Sequence, residues 1–309
     1  MFIWEKQGII KNVIETIGWT KTHAQVPTLL LLEDKLRVYF STRPEEGMTV
    51  TTFCDLDLND LTKVLYVHDK PILDLGNPGC FDQFGIMPSS IVNIDGLVYL
   101  FYSGWARSVG VPYNNYTGLA ISEDNGITFK KKFQGPVLDR TKFELFSATS
   151  PEVMYDGNNW HAWYCSGTNW HNIDGKFEHT YDIKYAMSLD GSNWIQKNET
   201  VIFQKNEYEA ITKPTVIEID GIFHMWFCYR GTFDFRKAGQ TYNIGYASSV
   251  DLKNWKRDDA KSGITFSESG WDSQMLAYPA IIKIKDDYFM FYNGNNFGSD
   301  GFGIAKLIK

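Results

Sequence analysis

Residues 211–231 read ITKPTVIEIDGIFHMWFCYRG, and this stretch decides the fold. A β-branched run follows Pro214, Asp220-Gly221 interrupts it, and an aromatic run ends at Arg230-Gly231. β-Branched and aromatic side chains suit a pleated surface, and Asp-Gly supplies the positive φ of a two-residue hairpin, so the stretch reads as two antiparallel strands. The pattern recurs in AQVPTLLLL at Pro27, GIMPSSIVNI at Pro88, ATSPEVMY at Pro151 and LAYPAIIKI at Pro279, with separations of 61, 63, 63 and 65 residues along the chain. Each run leads through an acidic turn (Glu33-Asp34, Asp95-Gly96, Asp156-Gly157, Asp286-Asp287) into RVYFS, LVYLFYSG, WHAWYCSG and YFMFYNG.

A third element follows in each unit: GLAISEDNGITF, IKYAMSLDGSNW, IGYASSVDLKNW and a truncated GFGIAKLIK, with a degenerate version around Thr51 to Leu58 in the first. Strand, tight turn, strand, longer loop, strand, tight turn, strand describes a four-stranded antiparallel blade. The expectation is an all-β fold, a five-bladed β-propeller forming a single domain over residues 1–309. The fifth unit stops after its third strand, and Trp4-Glu-Lys-Gln-Gly-Ile-Ile10 resembles the fourth strands that begin at Phe129, Trp194 and Trp255. The N-terminal strand is therefore expected to close the last blade and remove two sheet edges. Chance periodicity in an aromatic-rich sandwich is the competing reading, disfavoured because order, spacing and turn chemistry recur together.

Composition agrees: 10 Trp, 17 Tyr and 21 Phe make 16% aromatics beside 26 glycines in 309 residues. A net charge of −7 lacks the positive field that drives nucleic-acid binding. No apolar run reaches the roughly 18 residues of a membrane-spanning helix. Met1-Phe-Ile-Trp-Glu-Lys6 carries charges where a signal peptide needs apolar residues, which reads as a cytoplasmic protein. Cysteines 54, 80, 165 and 228 form no CxxC pair and read as reduced thiols, and the six histidines show no ligand spacing. With no metal set, no Gly-rich phosphate loop and no nucleophile elbow, no cofactor is expected.

Antiparallel connectivity sends the lead-in segments and the loops between second and third strands to one face, the top, and the tight hairpins to the other. The top loops hold Arg43 and Glu45, Trp105 and Arg107, Trp170 and His171, Arg230, Asp234 and Arg236, and Asn293, Asn295 and Asn296. Flat aromatic faces among amides, guanidiniums and carboxylates suit a sugar, whose C–H faces stack while its hydroxyls bond directionally. Arg230 and Arg236 can also fork a carboxylate or phosphate. The lead-in segments carry Phe81-Asp82, Phe143-Glu144, Tyr208-Glu209 and Trp271-Asp272, whereas the first has Trp19-Thr20 and then His23. Two readings stand for these pairs: carboxylates ringing a central funnel, or aromatics wedged between blades with the acids shaping turns. Glu152, directly after Pro151, faces the channel as a further acid, or as an ion-pair partner there.

The motifs GIMPSSI, YSGW, DIKYAMSLDG, YRG, GWDS and FYNGNNFGSDGFGIA resemble the five-bladed propeller superfamily of glycoside hydrolases, which includes families 43, 32, 68 and 130. They resemble most closely a group of uncharacterised bacterial family 43-like propellers. The resemblance spans the whole chain and implies glycosidic-bond chemistry or work in surface-glycan biosynthesis. It also implies a base directly before the proline of the first innermost strand and an acid two places before such a proline in a later blade. Here Val26 and Thr212 stand at those positions, and neither titrates. The segment from Ser122 to Phe129 matches the sialidase Asp-box, a hairpin staple that brings no sialidase activity with it.

The expected function is a glycosidase-like enzyme acting on a glycan or activated sugar in the central funnel. Hydrolysis needs one carboxyl group to protonate the leaving oxygen and another to act on the opposite side. Asp82, Glu209, Asp272 and Glu152 are the candidates, with Arg230, Trp105, Trp170, His171, His23, Arg236 and Asn293 binding substrate. The alternatives are a carbohydrate-binding propeller without turnover, and a scaffold holding a protein partner on a broad apolar patch.

Overall fold

A computed structural model describes residues 2–11, 13–45, 47–235 and 241–308. After β1 (Trp4–Ile10), the chain folds into successive antiparallel meanders. The first comprises β2 (Thr22–Leu31), β3 (Lys35–Arg43), β4 (Val50–Asp57) and β5 (Asp60–Val67). The second comprises β6 (Gly85–Ile94), β7 (Leu97–Arg107), β8 (Tyr113–Ser122) and β9 (Lys130–Lys131). The third is β10 (Ala148–Tyr155), β11 (Trp160–Ile173), β12 (Lys176–Ser188) and β13 (Trp194–Ile202). The fourth is β14 (Ala210–Ile219), β15 (Ile222–Arg230), β16 (Asn243–Ser249) and β17 (Lys256–Arg257). Last come β18 (Ala277–Ile284), β19 (Asp287–Asn293) and β20 (Phe302–Leu307), and β1 pairs antiparallel with β20 to complete that sheet.

The expected third element of the first unit is β4. Two expected fourth strands shrink to the two-residue β9 and β17. The longer loop expected between the second and third strands of the third unit, around Trp170 and His171, is instead the outer half of a long β11–β12 hairpin turning at Asp174-Gly175, both at positive φ. That geometry suits a two-residue turn and carries the hairpin past the rest of its sheet.

Each second strand holds two successive aromatics at its centre, Tyr39-Phe40, Phe101-Tyr102, Trp163-Tyr164, Trp226-Phe227 and Phe291-Tyr292, all fully buried. Successive strand residues point to opposite faces, so one of each pair packs on the preceding sheet and the other on the following one. Tyr39 joins Tyr102 in one cluster, Phe101 joins Tyr164, Trp163 joins Phe227, and Trp226 joins Tyr292. Phe291 then joins Phe40, bringing the last sheet back to the first. The first strands touch in the same order, β2 with β6, β6 with β10, β10 with β14, β14 with β18, and β18 with β2.

The tight hairpins between third and fourth strands are held by a repeated Ser-x-Asp device. In the second meander Ser122 Oγ donates to Asp124 (2.6 Å), which accepts from the Ile127 and Thr128 N–H groups (3.0 and 2.9 Å). Ser188 with Asp190 and Ser249 with Asp251 repeat it. These bonds hold the Asp124 carboxyl down to about 2, against the opposing effect of burial.

Candidate functional site

The prolines of the repeat set the site. Directly before four of them, Val26, Ser150, Lys213 and Tyr278 adopt φ of 58°, 49°, 50° and 54°. Left-handed backbone is uncommon for non-glycine residues, and a β-bulge at each position, seen as a register shift against the second strand, re-aims the side chain. In three of them a side chain of the preceding meander accepts the amide of the strained residue, and a fourth makes an analogous contact. The Val26 N–H donates to Asn293 Oδ1 (2.8 Å), the Ser150 N–H to Ser103 Oγ (3.0 Å) and the Lys213 N–H to Cys165 Sγ (3.3 Å). The Tyr278 backbone bonds the Cys228 thiol. Met87, before Pro88, has no positive φ, and Ser41 Oγ, the matching side chain, has no partner among the described residues.

Val26, Met87, Ser150, Lys213 and Tyr278 all open on one cavity of about 520 Å³. Trp105 walls it, its indole N–H donating to Thr49 Oγ1 (2.8 Å) and its ring lying against Gly85, where a Cβ would collide with it. The β11–β12 hairpin adds Phe177, Glu178 and Tyr181, and the Tyr181 and Tyr113 hydroxyls bond at 2.8 Å. Asn115 Oδ1 and Thr149 Oγ1, on residues that line the cavity, have no hydrogen-bond partner among the described residues. Such polar atoms favour a ligand that brings hydroxyls.

Three cations face this space: Lys213, Arg230 and Arg43. Burial lowers the Lys213 ammonium, with Glu152 opposing, and lowers Arg43. Glu178 is the carboxylate among the described lining residues. Glu152 lies one step further along β10, half-buried, where its Oε1 accepts from the Val216 N–H (3.4 Å) of β14. Desolvation pushes its carboxyl up to about 7, against the pull of Lys213 and of bonds from Val216 and Ser90.

Like Glu152, the other expected acids are not among the lining residues. Asp82 is buried, accepts from Tyr102 Oη (2.9 Å) and pairs with Lys131 (2.7 Å). Asp272 repeats this with Tyr292 (2.9 Å) and Lys6 of β1 (2.6 Å). Glu209 stands where the second strand offers Phe227, which cannot donate, and a longer acid takes a two-pronged bond from Arg257 instead (2.7 and 3.0 Å). None of the three lines the cavity, because each is consumed in tying a lead-in segment to its own sheet, β1 serving that role for Asp272. Phe81 and Trp271 pack on Gly104 and Gly303, whereas Phe143 and Tyr208 are exposed.

Of the expected binding residues, Arg230 and Trp105 line the cavity. Trp170 stacks on His179 (4.0 Å) and His171 contacts Tyr208 and Phe233, both outside the lining. His23, lowered to about 4 by burial and by Arg43, stays off the lining too. Asn293 is the fully buried clamp of Val26, its Nδ2 donating to the carbonyls of Ala24 (2.8 Å) and Gly301 (2.9 Å). Arg236 falls outside the described residues. Sequence reasoning missed Lys213, Ser150, Met87 and Tyr278, although the residue before each proline was the column to read. Among the described residues no cluster of three or more His, Cys, Asp or Glu could hold a metal, and no helix is long and apolar enough to cross a membrane.

No family model matches the chain. Among solved structures it is similar to BT0996 in an RGII complex (TM-score 0.74, 18% identity, 98% of this chain and 90% of that one). It is also similar to a thermostable family-43 glycoside hydrolase (TM-score 0.65, 16% identity, 95% and 91%). A third is a protein from the GH130 family of mannoside phosphorylases, which contains hydrolases targeting β-1,2 mannosidic linkages in Candida mannan (TM-score 0.69, 14% identity, 98% and 93%). The fold is that of the propeller glycoside hydrolases. In sequence, 1,2-beta-oligomannan phosphorylase of Thermoanaerobacter sp. (strain X514) is 27% identical over 172 residues, 54% of this chain and 53% of that one. Uncharacterized protein Rv1502 of Mycobacterium tuberculosis (strain ATCC 25618 / H37Rv) is 33% identical over 306 residues, 98% of this chain and 99% of that one. Identity sustained over nearly the full length of both proteins means that this protein belongs to the Rv1502 family.

Proposed function

We propose that the meanders are the blades of a five-bladed propeller, closed by β1, and that the protein processes a glycan or activated sugar in the cavity on its axis. The cyclic order of the aromatic clusters supports the ring. The observation that carries the function is that the residues before all five repeat prolines, from sheets far apart in sequence, open on one cavity. Its volume suits a small ligand, Trp105 offers a stacking face, and Asn115 and Thr149 offer unbonded polar atoms. The propeller glycoside-hydrolase fold and the partial likeness to an oligomannan phosphorylase support sugar chemistry.

In this reading Glu152 is the acid, a carboxyl set behind the lining residues whose surroundings let it hold its proton up to about pH 7. Glu178 is the second carboxylate, and Asp82, Glu209 and Asp272 belong to the architecture. One observation favours saccharide binding without turnover: Val26 and Thr212 occupy the positions where the resemblance implies base and acid. The test is a panel of aryl-glycosides and oligosaccharides incubated with wild type, Glu152→Gln and Trp105→Ala. Product release by wild type that Glu152→Gln abolishes without lowering the melting temperature supports the enzyme. Release that survives in Glu152→Gln removes the acid assignment, and binding without release in wild type favours the second reading.

A further inference from the structure

Deeply set cations elsewhere in this chain meet carboxylates: Arg37 meets Asp55 (2.7 Å), Arg257 meets Glu209 (2.7 Å) and Lys131 meets Asp82 (2.7 Å). The cavity breaks that rule. Lys213 is 2% exposed, and its one ammonium bond is a long one to the Pro214 carbonyl (3.5 Å). Among the described residues Arg230, 3% exposed, donates to neutral acceptors, the Tyr242 hydroxyl (3.2 Å) and the carbonyls of Thr232 (3.1 Å) and His179 (2.8 Å). Arg43 reaches the Gln25 amide oxygen (3.4 Å). None of the three has a carboxylate within ion-pair distance among the described residues, and the acids that act on them from further away, Glu152 on Lys213 and Glu178 on Arg230, stay outside it. Burying an uncompensated cation is costly, and a protein retains one where something else supplies the opposite charge.

We propose that the cavity takes a saccharide carrying a phosphoryl group, with Lys213, Arg230 and Arg43 set to face its anionic oxygens. The proposal rests on the saccharide reading above and narrows its substrate class. Among the described lining residues, three cations less one carboxylate, Glu178, leave a charge of +2, with Glu152 behind them protonated as in that reading. A phosphoryl monoester, at about −1.5 to −2 near neutral pH, balances that excess, and a single sugar carboxylate leaves half of it. The anion is placed on the sugar because the same cavity presents the Trp105 ring and the unbonded polar atoms of Asn115 and Thr149, which a bare anion would leave unused.

Titration calorimetry tests this with glucose, mannose and galactose, their 1- and 6-phosphates, and inorganic phosphate. At least one phosphohexose is expected to bind about tenfold or more tightly than its parent hexose, as a charge-assisted contact implies. That preference is expected to vanish in Lys213→Met and to weaken in Arg43→Gln. Because Lys213→Met replaces a buried charge with an apolar chain of similar length, its melting temperature is expected to equal or exceed that of wild type, so lost binding is not lost folding. Arg43→Gln, at a half-buried position, provides the second variant. Phosphohexoses that bind no better than hexoses, or a preference that survives both substitutions, overturn the proposal while leaving the neutral-saccharide reading standing. Inorganic phosphate binding as tightly as every phosphohexose overturns it as well, and takes the support for the sugar component with it.

Discussion

Two columns of the repeat, a few residues apart in every unit, use their side chains in opposite ways. The lead-in acids Asp82, Glu144, Glu209 and Asp272 are alike in chemistry and buried, and three of the four bind a cation of their own sheet's outermost strand. The residues before the prolines, Val26, Met87, Ser150, Lys213 and Tyr278, share nothing chemically, yet all face the cavity. A position with the same residue type and the same partner in sheet after sheet is holding the sheet. A position whose backbone is fixed while its side chain varies is free to be fitted to a ligand. In a repeat protein, function is to be sought in the column that differs.

The comparison can be broken most forcefully at β1. Deleting residues 1–11 removes buried Trp4 and Ile10 and the Lys6 partner of Asp272. The unfolding free energy, measured by denaturant titration, is expected to fall by about 5 kcal/mol or more. Next is Glu209→Ala, which strips Arg257 of one of its two carboxylates and leaves it Asp259 (2.9 Å), and is expected to cost about 2 kcal/mol. Glu144 sharpens the contrast, since among the described residues it has no cation within ion-pair distance and its Oε1 has no partner, and burial raises its pKa. Glu144→Gln is expected to cost less than about 1 kcal/mol in the same titration.

The clamps come next. Ser103→Ala leaves the Ser150 amide unbonded and is expected to cost about 1–3 kcal/mol, whereas Ser41→Ala, at the one clamp position without a partner, is expected to leave stability nearly unchanged. A pH profile adds a test at Glu152. The folded Glu152 carboxyl, at about 7, holds its proton more tightly than the unfolded one near 4.5. Its contribution to stability is therefore fully present below about pH 4.5 and lost as the pH rises towards about 7, and Glu152→Gln should flatten that part of the melting-temperature profile.

Strand pairing was legible because the proline, the Asp-Gly turn and the aromatic run are local signals with fixed periods. The junction of β1 with β20 was legible for the same reason, Trp4 to Ile10 matching the outermost strands. The acids misled because a sequence gives the face a residue occupies but not the partner that waits for it. Tyr102 and Lys131 follow Asp82 by 20 and 49 positions and meet it only through the register of the sheet. Lys213 escaped notice because a lysine before a proline looks like surface, and only the bulge at Thr212–Thr215 turns it inward. The outer half of the β11–β12 hairpin, 168–181, escaped because it is polar and lacks the apolar alternation of a half-buried strand.

The central claim is that the cavity floored by the residues before the prolines is where a saccharide sits. Crystals soaked with the best-binding sugar of the panel test it most directly. The account predicts difference density inside the cavity, over the Trp105 ring and within hydrogen-bonding reach of Asn115, Thr149 or Lys213. Sugar density confined to another surface, with the cavity unchanged, would contradict it.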